Sequence, residues 1–120
     1  MSRILAVDDS SAMRQVIQHT LKGAGHEVIL ASDGDEALDF ARRESVDLVL
    51  SDVYMARMDG LSLVRALRQL ETYRTVPVLL VTTESSPEKK QEGKSAGATG
   101  WIIKPFNPER LVSIVRQILA

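Results

Sequence analysis

Three carboxylates stand where apolar runs of the sequence end, and they are the first candidates for chemistry. Asp8 and Asp9 follow the run that begins at Arg3, and Asp52 follows the run Leu48–Ser51. If they converge, they repel one another, whereas a hard divalent cation such as Mg²⁺ prefers oxygen ligands and is commonly held by one or two carboxylates with waters. These residue types therefore predict a Mg²⁺ site.

A hydroxyl and an amine end two further apolar runs, at Thr82 and Lys104. Three carboxylates, one Mg²⁺ and one ammonium group together are almost neutral, so such a pocket can admit a phosphoryl group. A carboxylate can attack phosphorus and form an aspartyl-phosphate. Phosphoryl transfer depends mainly on positioning and on neutralisation of charge, which the metal and Lys104 would supply while Thr82 donates its hydroxyl.

These groups need a scaffold that brings strand ends together. Strand-like segments alternate with amphipathic helices along the chain, and strict alternation predicts a parallel sheet with right-handed crossovers and helices on both faces. In such a sheet, ligands bind at the carboxyl ends of the strands. The predicted strands are Arg3–Val7, Glu27–Ala31, Leu48–Ser51, 76–81 and 101–103.

The helix starts carry capping signals, which lie at Ser10 or Ser11, Asp33, Asp59, Pro87 and Asn107. Glu36 stands three residues after Asp33, as in a capping box. The third helix is expected to bury Leu63, Val64, Leu67 and Leu70 and to leave Arg65 and Arg68 in solvent.

Two helices are expected to offer a surface for contact with a partner protein. The segment that Pro87 opens has almost no apolar stripe, so we expect the least firmly held helix there and expect it to move. The last helix has a broad apolar arc whose edges, Val112 and Ile114, are expected to be exposed. Together the two helices form a candidate partner-docking face.

Composition limits the function classes. With 120 residues, we expect one domain and no separate output domain. The net charge of -1 favours neither nucleic acid nor a membrane surface as partner, and the absence of cysteine is typical of a reducing compartment. No apolar run is long enough for a signal peptide or a membrane helix, so we expect a cytoplasmic protein.

Five short motifs, in this order and spacing, resemble the response-regulator receiver domains of two-component signalling, and among them the single-domain CheY-like chemotaxis proteins. The resemblance covers all 120 residues and implies a flavodoxin-like α/β fold with strand order 2-1-3-4-5 and five helices. The motifs are Val7-Asp8-Asp9-Ser10, Ser51-Asp52, Met58-Asp59-Gly60, Val81-Thr82 and Gly100-Trp101-Ile102-Ile103-Lys104-Pro105-Phe106.

The resemblance also implies roles. Asp52 would accept a phosphoryl group from the phosphohistidine of a kinase, and Mg²⁺ would be held by Asp8, Asp9, Asp52 and the backbone carbonyl of Tyr54. Thr82 and Lys104 would contact the phosphoryl group, Trp101 would occupy the position of the family's switch aromatic residue, and Lys104-Pro105 would be a cis peptide. The protein would be a monomer that signals through a protein target, with the flagellar motor switch as leading candidate. It would not be an enzyme beyond its own phosphorylation and dephosphorylation.

Departures from the family pattern lie beside the site. Ala56 stands where family members usually have proline. Thr83 is bulkier than the small residue that is usual at its position, and it would narrow access to the phosphoryl group. Tyr54 and Glu84 stand at variable flanking positions, where they would hinder or orient an attacking water and so set the lifetime of the phosphorylated state.

Other classes share parts of this pattern. A flavodoxin-like FMN protein would need hydroxyl and N–H donors where Asp8 and Asp9 stand, and a haloacid-dehalogenase-type phosphatase would need an Asp-x-Asp arrangement there. A receiver that binds partners without chemistry is disfavoured by the complete residue set. A non-motility receiver and a phosphate sink in a phosphorelay remain open alternatives to motor control.

Overall fold

Strands and helices alternate strictly along residues 2–120, the part of the chain that the computed structural model describes. The order is β1 (Arg3–Val7), α1 (Ser11–Gly23), β2 (Glu27–Ala31), α2 (Gly34–Arg43), β3 (Leu48–Ser51), α3 (Gly60–Arg68), β4 (Val78–Thr82), α4 (Pro87–Ala96), β5 (Gly100–Ile103) and α5 (Pro108–Leu119). A short 3-10 helix, Glu71–Tyr73, lies between α3 and β4.

The five strands form one parallel sheet in the order β2-β1-β3-β4-β5, which confirms the predicted fold class. The register aligns the strand ends that matter, because Val7 of β1 lies opposite Ser51 of β3. The chain therefore leaves these neighbouring strands at the same level, with Asp8 and Asp52 as the next residues.

Each face of the sheet has its own apolar core, since successive strand side chains point to opposite faces. On one face, Leu5 and Val49 pack with buried residues of α2, α3 and α4; on the other, Ile4 and Leu50 pack with buried residues of α1 and α5. Helices thus cover both faces, as expected of a parallel sheet.

Side-chain caps begin the helices where the sequence predicts them. Ser10 accepts a hydrogen bond from the Met13 amide, and Asp33 and Asp59 cap α2 and α3 in the same way. Glu36 differs from a capping box in one detail, because its carboxylate accepts from the Ser32 amide, one residue before the cap.

Three expectations were wrong in detail. The third helix ends at Arg68, so Leu70 lies beyond it, and Arg68 is partly buried because its guanidinium reaches carbonyls of neighbouring segments. The fourth strand begins at Val78, two residues later than predicted. Val112 and Ile114 are half-buried rather than exposed, because both pack against the core cluster that α5 shares with α1.

Helix α4 is as weakly buried as predicted, since only Gly93 and Ala96 of its ten residues are buried. Its expected mobility stays a prediction. Within residues 2–120, none of the helices has the length and apolarity needed to span a bilayer.

Candidate functional site

The carboxyl edge of the sheet gathers the three predicted acids. Ligand-capable oxygens of Asp8, Asp9 and Asp52 all lie within 4.8 Å of one another. Asp8 is almost completely buried, Asp52 is half-buried and Asp9 is exposed. The convergence predicted from strand ends is therefore confirmed, and Asp9 is the acid that faces solvent.

Lys104 joins this cluster from the end of β5. Its Nζ donates to Asp8 Oδ2 at 2.6 Å and to Asp52 Oδ2 at 2.8 Å. Burial alone would lower the pKa of Lys104, but hydrogen bonds to Asp52 and Asp8 and their charges outweigh it, so the pKa is raised above its usual value. The amine therefore places its positive charge between two carboxylates.

Backbone amides hold the remaining carboxylate oxygens. Asp52 Oδ1 accepts from the amides of Val53 at 2.6 Å and Tyr54 at 3.2 Å, and Asp8 Oδ1 accepts from the Ser10 amide at 2.9 Å. These bonds fix the rotamers of both acids, and Tyr54 lies in the turn directly after Asp52.

The donor set fits a hard divalent cation. Its side chains offer carboxylate oxygens only, and the exposed acid, Asp9, makes no side-chain hydrogen bond within residues 2–120. Mg²⁺ prefers this chemistry, with water completing its shell. The acids and Lys104 therefore suit a site where metal and phosphoryl group are held side by side.

Gly60 lets the loop after β3 close beneath Asp52. A Cβ at Gly60 would lie 2.0 Å from the backbone oxygen of Asp52, and the Gly60 amide donates to Val53 O at 2.8 Å. Only glycine permits this approach, which explains why Asp59-Gly60 follows Asp52 at this distance in the sequence.

The end of β4 carries the predicted hydroxyl. Thr82 is fully buried, its Oγ1 accepts from the Glu84 amide at 3.3 Å, and its carbonyl accepts from the Lys104 amide at 2.8 Å. Thr83 is exposed. A backbone hydrogen bond thus connects Thr82 with Lys104. The peptide bond between Lys104 and Pro105 is cis, as predicted.

Glu84 connects residues that the sequence analysis treated separately. Its Oε1 accepts from the Tyr54 hydroxyl at 2.5 Å, and its backbone oxygen accepts from Trp101 Nε1 at 2.8 Å. The hydrogen bond between the two side chains raises the pKa of Tyr54. The same bond, together with hydrogen bonds from Ser86, lowers the pKa of Glu84. Tyr54 and Trp101 therefore both make a hydrogen bond to Glu84.

Arg14 is a residue near the site that the sequence analysis missed. Its Nη1 donates to the backbone oxygen of Asp8 at 2.7 Å, from the first turn of α1. An arginine four residues after the capping Ser10 was a visible signal, because that spacing directs a long side chain back toward the helix start.

Comparisons with known proteins show what this chain is similar to. The family model described as response regulator receiver domain matches residues 4–116. The chain is 37% identical over 119 residues to a chemotaxis protein CheY homolog of Campylobacter jejuni, covering 98% of this chain and 92% of that protein.

Two further matches differ in how much of the other protein this chain covers. A solved structure of the Vibrio cholerae chemotaxis protein CheY4 superposes with a TM-score of 0.95 at 51% identity, over 98% of both chains. The response regulator MprA of Mycobacterium leprae is 40% identical over 117 residues, which are 98% of this chain and 50% of that protein. The chain thus spans about half the length of this relative and nearly all of the chemotaxis proteins.

Proposed function

The chain belongs to the response regulator receiver domains, and on that premise we propose that it accepts a phosphoryl group on Asp52 from a kinase phosphohistidine. Receiver domains are phosphoryl-accepting signalling domains rather than classical enzymes, and they bind Mg²⁺ at an acidic pocket. The proposal extends this family chemistry to named residues of this chain.

The observation that carries the proposal is the double contact of Lys104 with Asp8 and Asp52. A cation fixed between two carboxylates offsets part of their negative charge and so reduces the repulsion of an anionic phosphoryl donor. Mg²⁺, when bound to Asp8, Asp9, Asp52 and the Tyr54 carbonyl, would supply further positive charge to the phosphoryl oxygens.

In the proposed step, the Asp52 carboxylate attacks phosphorus, the bond from phosphorus to the imidazole nitrogen breaks, and the electron pair stays with the imidazole. Backbone amides of Val53 and Tyr54 hold Asp52 Oδ1, so the carboxylate is oriented before the donor arrives. Lys104 would then donate a hydrogen bond to one phosphoryl oxygen, and the Thr82 hydroxyl would donate to another.

We propose a role in chemotaxis, exerted in the cytoplasm by a monomer on a protein target such as the flagellar motor switch. The similarity to chemotaxis proteins over nearly their whole length supports this. A cavity of about 340 Å³ beside Trp101 and Phe106 is edged by Lys90 and Arg110, which suits an acidic segment with an apolar anchor.

Incubation with acetyl phosphate and Mg²⁺, followed by intact-protein mass spectrometry, tests the proposed reaction. The wild-type chain should gain one labile phosphoryl group, and Asp52→Asn should gain none. Asp35→Asn is the matched control, because Asp35 is exposed on α2 and makes no side-chain hydrogen bond within residues 2–120. Labelling of Asp52→Asn at the wild-type level would overturn the proposal.

A further inference from the structure

Arg68, the last residue of α3, donates hydrogen bonds to backbone carbonyls of two other segments, the carboxyl end of α4 and the stretch 73–76 that leads into β4. Its Nε and Nη2 donate to Gly97 O at 3.1 and 2.8 Å, and its Nη1 donates to the oxygens of Tyr73 and Val76, each at 2.6 Å. Within residues 2–120 it forms no ion pair with a carboxylate, and burial lowers its pKa. Its charge is satisfied by peptide oxygens alone.

Gly97 is the C-cap residue that directly follows α4. It adopts a left-handed conformation with φ 112°, and its missing Cβ matters, because a Cβ there would lie 3.0 Å from Arg68 Cγ. A guanidinium at this place also neutralises the negative end of the helix dipole. Arg68 therefore fastens the carboxyl end of α4 to α3 and to the segment that leads into β4.

Within residues 2–120, the amino end of α4 makes no comparable set of hydrogen bonds to other segments. Residues 87–92 are exposed or half-buried, and the two buried residues, Gly93 and Ala96, lie in the second half. The first turn depends on the Ser86 cap, and the Ser86 amide donates to Glu84 Oε2. One end of α4 is thus anchored in the fold, and the other is linked to the loop that follows Thr82.

We propose that Arg68 is the fixed point of α4, so that conformational change on phosphorylation is confined to residues 86–91 and does not displace the whole helix. The inference rests on the proposed function for its trigger, but the anchor itself exists without phosphorylation. Loss of the guanidinium would leave the oxygens of Gly97, Tyr73 and Val76 without their donor, which frees the carboxyl end of α4.

Amide hydrogen exchange of the full chain tests the anchor. The informative amides are those of Gly97 and Ala98, which donate to Lys94 O and Gly93 O at the end of α4. In Arg68→Ala their protection should fall about tenfold or more, and in Arg68→Lys, which keeps the charge but not the fork of donors, it should fall less. Arg65→Ala is the matched control, because Arg65 is an exposed arginine of the same helix with no side-chain hydrogen bond within residues 2–120.

A merely structural role would raise exchange throughout the sheet, so β1 and β3 amides serve as the internal reference and should keep wild-type protection in Arg68→Lys. With Mg²⁺ and beryllofluoride, protection should change only over residues 86–91 in the wild-type chain and over the whole of α4 in Arg68→Lys. Wild-type protection at Gly97 and Ala98 in both Arg68 variants would overturn the anchor. Failure of the proposed function would show separately, as the absence of phosphorylated chain in the mass spectrum.

Discussion

Lys104 Nζ donates a 2.8 Å hydrogen bond to Asp52 Oδ2, although the two residues are 52 positions apart in the sequence. The same amine holds Asp8, whose side chain is only 2% exposed. Lys104 thus lies between the two acids and neutralises part of the negative charge that a divalent cation would also neutralise. Its contribution to stability and its effect on metal binding are therefore coupled.

Replacing Lys104 with methionine should destabilise the metal-free protein and make its stability dependent on Mg²⁺. The change leaves a buried carboxylate without its cation, which costs about 3 kcal/mol. Mg²⁺ binding to the folded state then restores part of that loss by mass action. Urea unfolding with and without Mg²⁺ measures the loss of stability and its recovery. If Lys104→Met lowers the free energy of unfolding equally in the two conditions, the coupling is contradicted.

The two neighbouring acids should differ sharply when each is replaced by asparagine. Both Asp8 carboxylate oxygens already accept hydrogen bonds from Ser10 and Lys104, whereas Asp9 is exposed. Asp8→Asn should lower the free energy of unfolding by about 1–3 kcal/mol. Asp9→Asn should leave it within about 0.5 kcal/mol and instead weaken Mg²⁺ binding about tenfold or more, which is about 1.4 kcal/mol.

Calorimetric Mg²⁺ titration and urea unfolding of both variants provide the comparison. The prediction fails if Asp9→Asn binds Mg²⁺ as tightly as the wild-type chain, or if Asp8→Asn is as stable as Asp9→Asn.

The hydrogen bond between Tyr54 and Glu84 should lengthen the life of the phosphorylated state. The two side chains join the loops after β3 and β4 beside Asp52, and they would hinder a water approaching the acyl phosphate. Tyr54→Phe and Glu84→Ala should each speed dephosphorylation severalfold, and the double variant should add little to Glu84→Ala, because that change already removes the bond to Tyr54.

Decay of phosphorylated protein after removal of the donor gives the rates. Glu88→Ala is the control, since Glu88 is exposed on α4 and makes no side-chain hydrogen bond within residues 2–120. An unchanged decay rate in the double variant would exclude a role in lifetime.

Most of the scaffold could be predicted because its signals are local. Ser10, Asp33 and Asp59 cap helices as short-range patterns indicate, and alternation of strands and helices leaves few topologies open. The strand order itself came from the family resemblance. Lys104 could be placed near Asp52 because parallel strands end at one edge, but its two hydrogen bonds depend on register and rotamer.

Contacts between distant loops could not be predicted. Arg68 has the spacing of a solvent-facing helix residue, yet it is partly buried because α3 ends there and the backbone of Gly97 passes close by. The bond between Tyr54 and Glu84 also joins two loops whose conformations no short pattern specifies. Tertiary packing decides such contacts, whereas periodicity does not.

Gly93 should be required for the observed position of the Trp101 ring. A Cβ at Gly93 would lie 2.8 Å from Trp101 Cζ3 and 3.1 Å from Leu80 Cδ1. Gly93→Ala gains helix propensity of up to about 1 kcal/mol, but overpacking costs about 1–3 kcal/mol, so the net effect should be a loss of stability. Displacement of the ring would break the bond to Glu84 and change the tryptophan emission.

Gly23→Ala is the matched control, because nothing lies within 4 Å of a Cβ at the end of α1. That variant should be as stable as the wild-type chain or more so, with unchanged emission. In the wild-type chain, emission of Trp101 should also respond to Mg²⁺ with beryllofluoride. A constant signal there would make Trp101 a static cover of the strand end.

Arg57 adopts a left-handed backbone conformation with φ 65°, in the loop between Asp52 and α3. This region is unfavourable for a long side chain and is tolerated by asparagine. The compensating ion pair with Asp33 is long, at 3.8 Å, and the Arg57 side chain is 71% exposed, so it contributes little. Arg57→Asn should therefore raise the free energy of unfolding by about 0.5–1 kcal/mol, as measured in urea. Arg42→Asn, on the exposed face of α2, should lower it slightly because asparagine is a poorer helix former. If both variants lose stability alike, the loop conformation is not a source of strain.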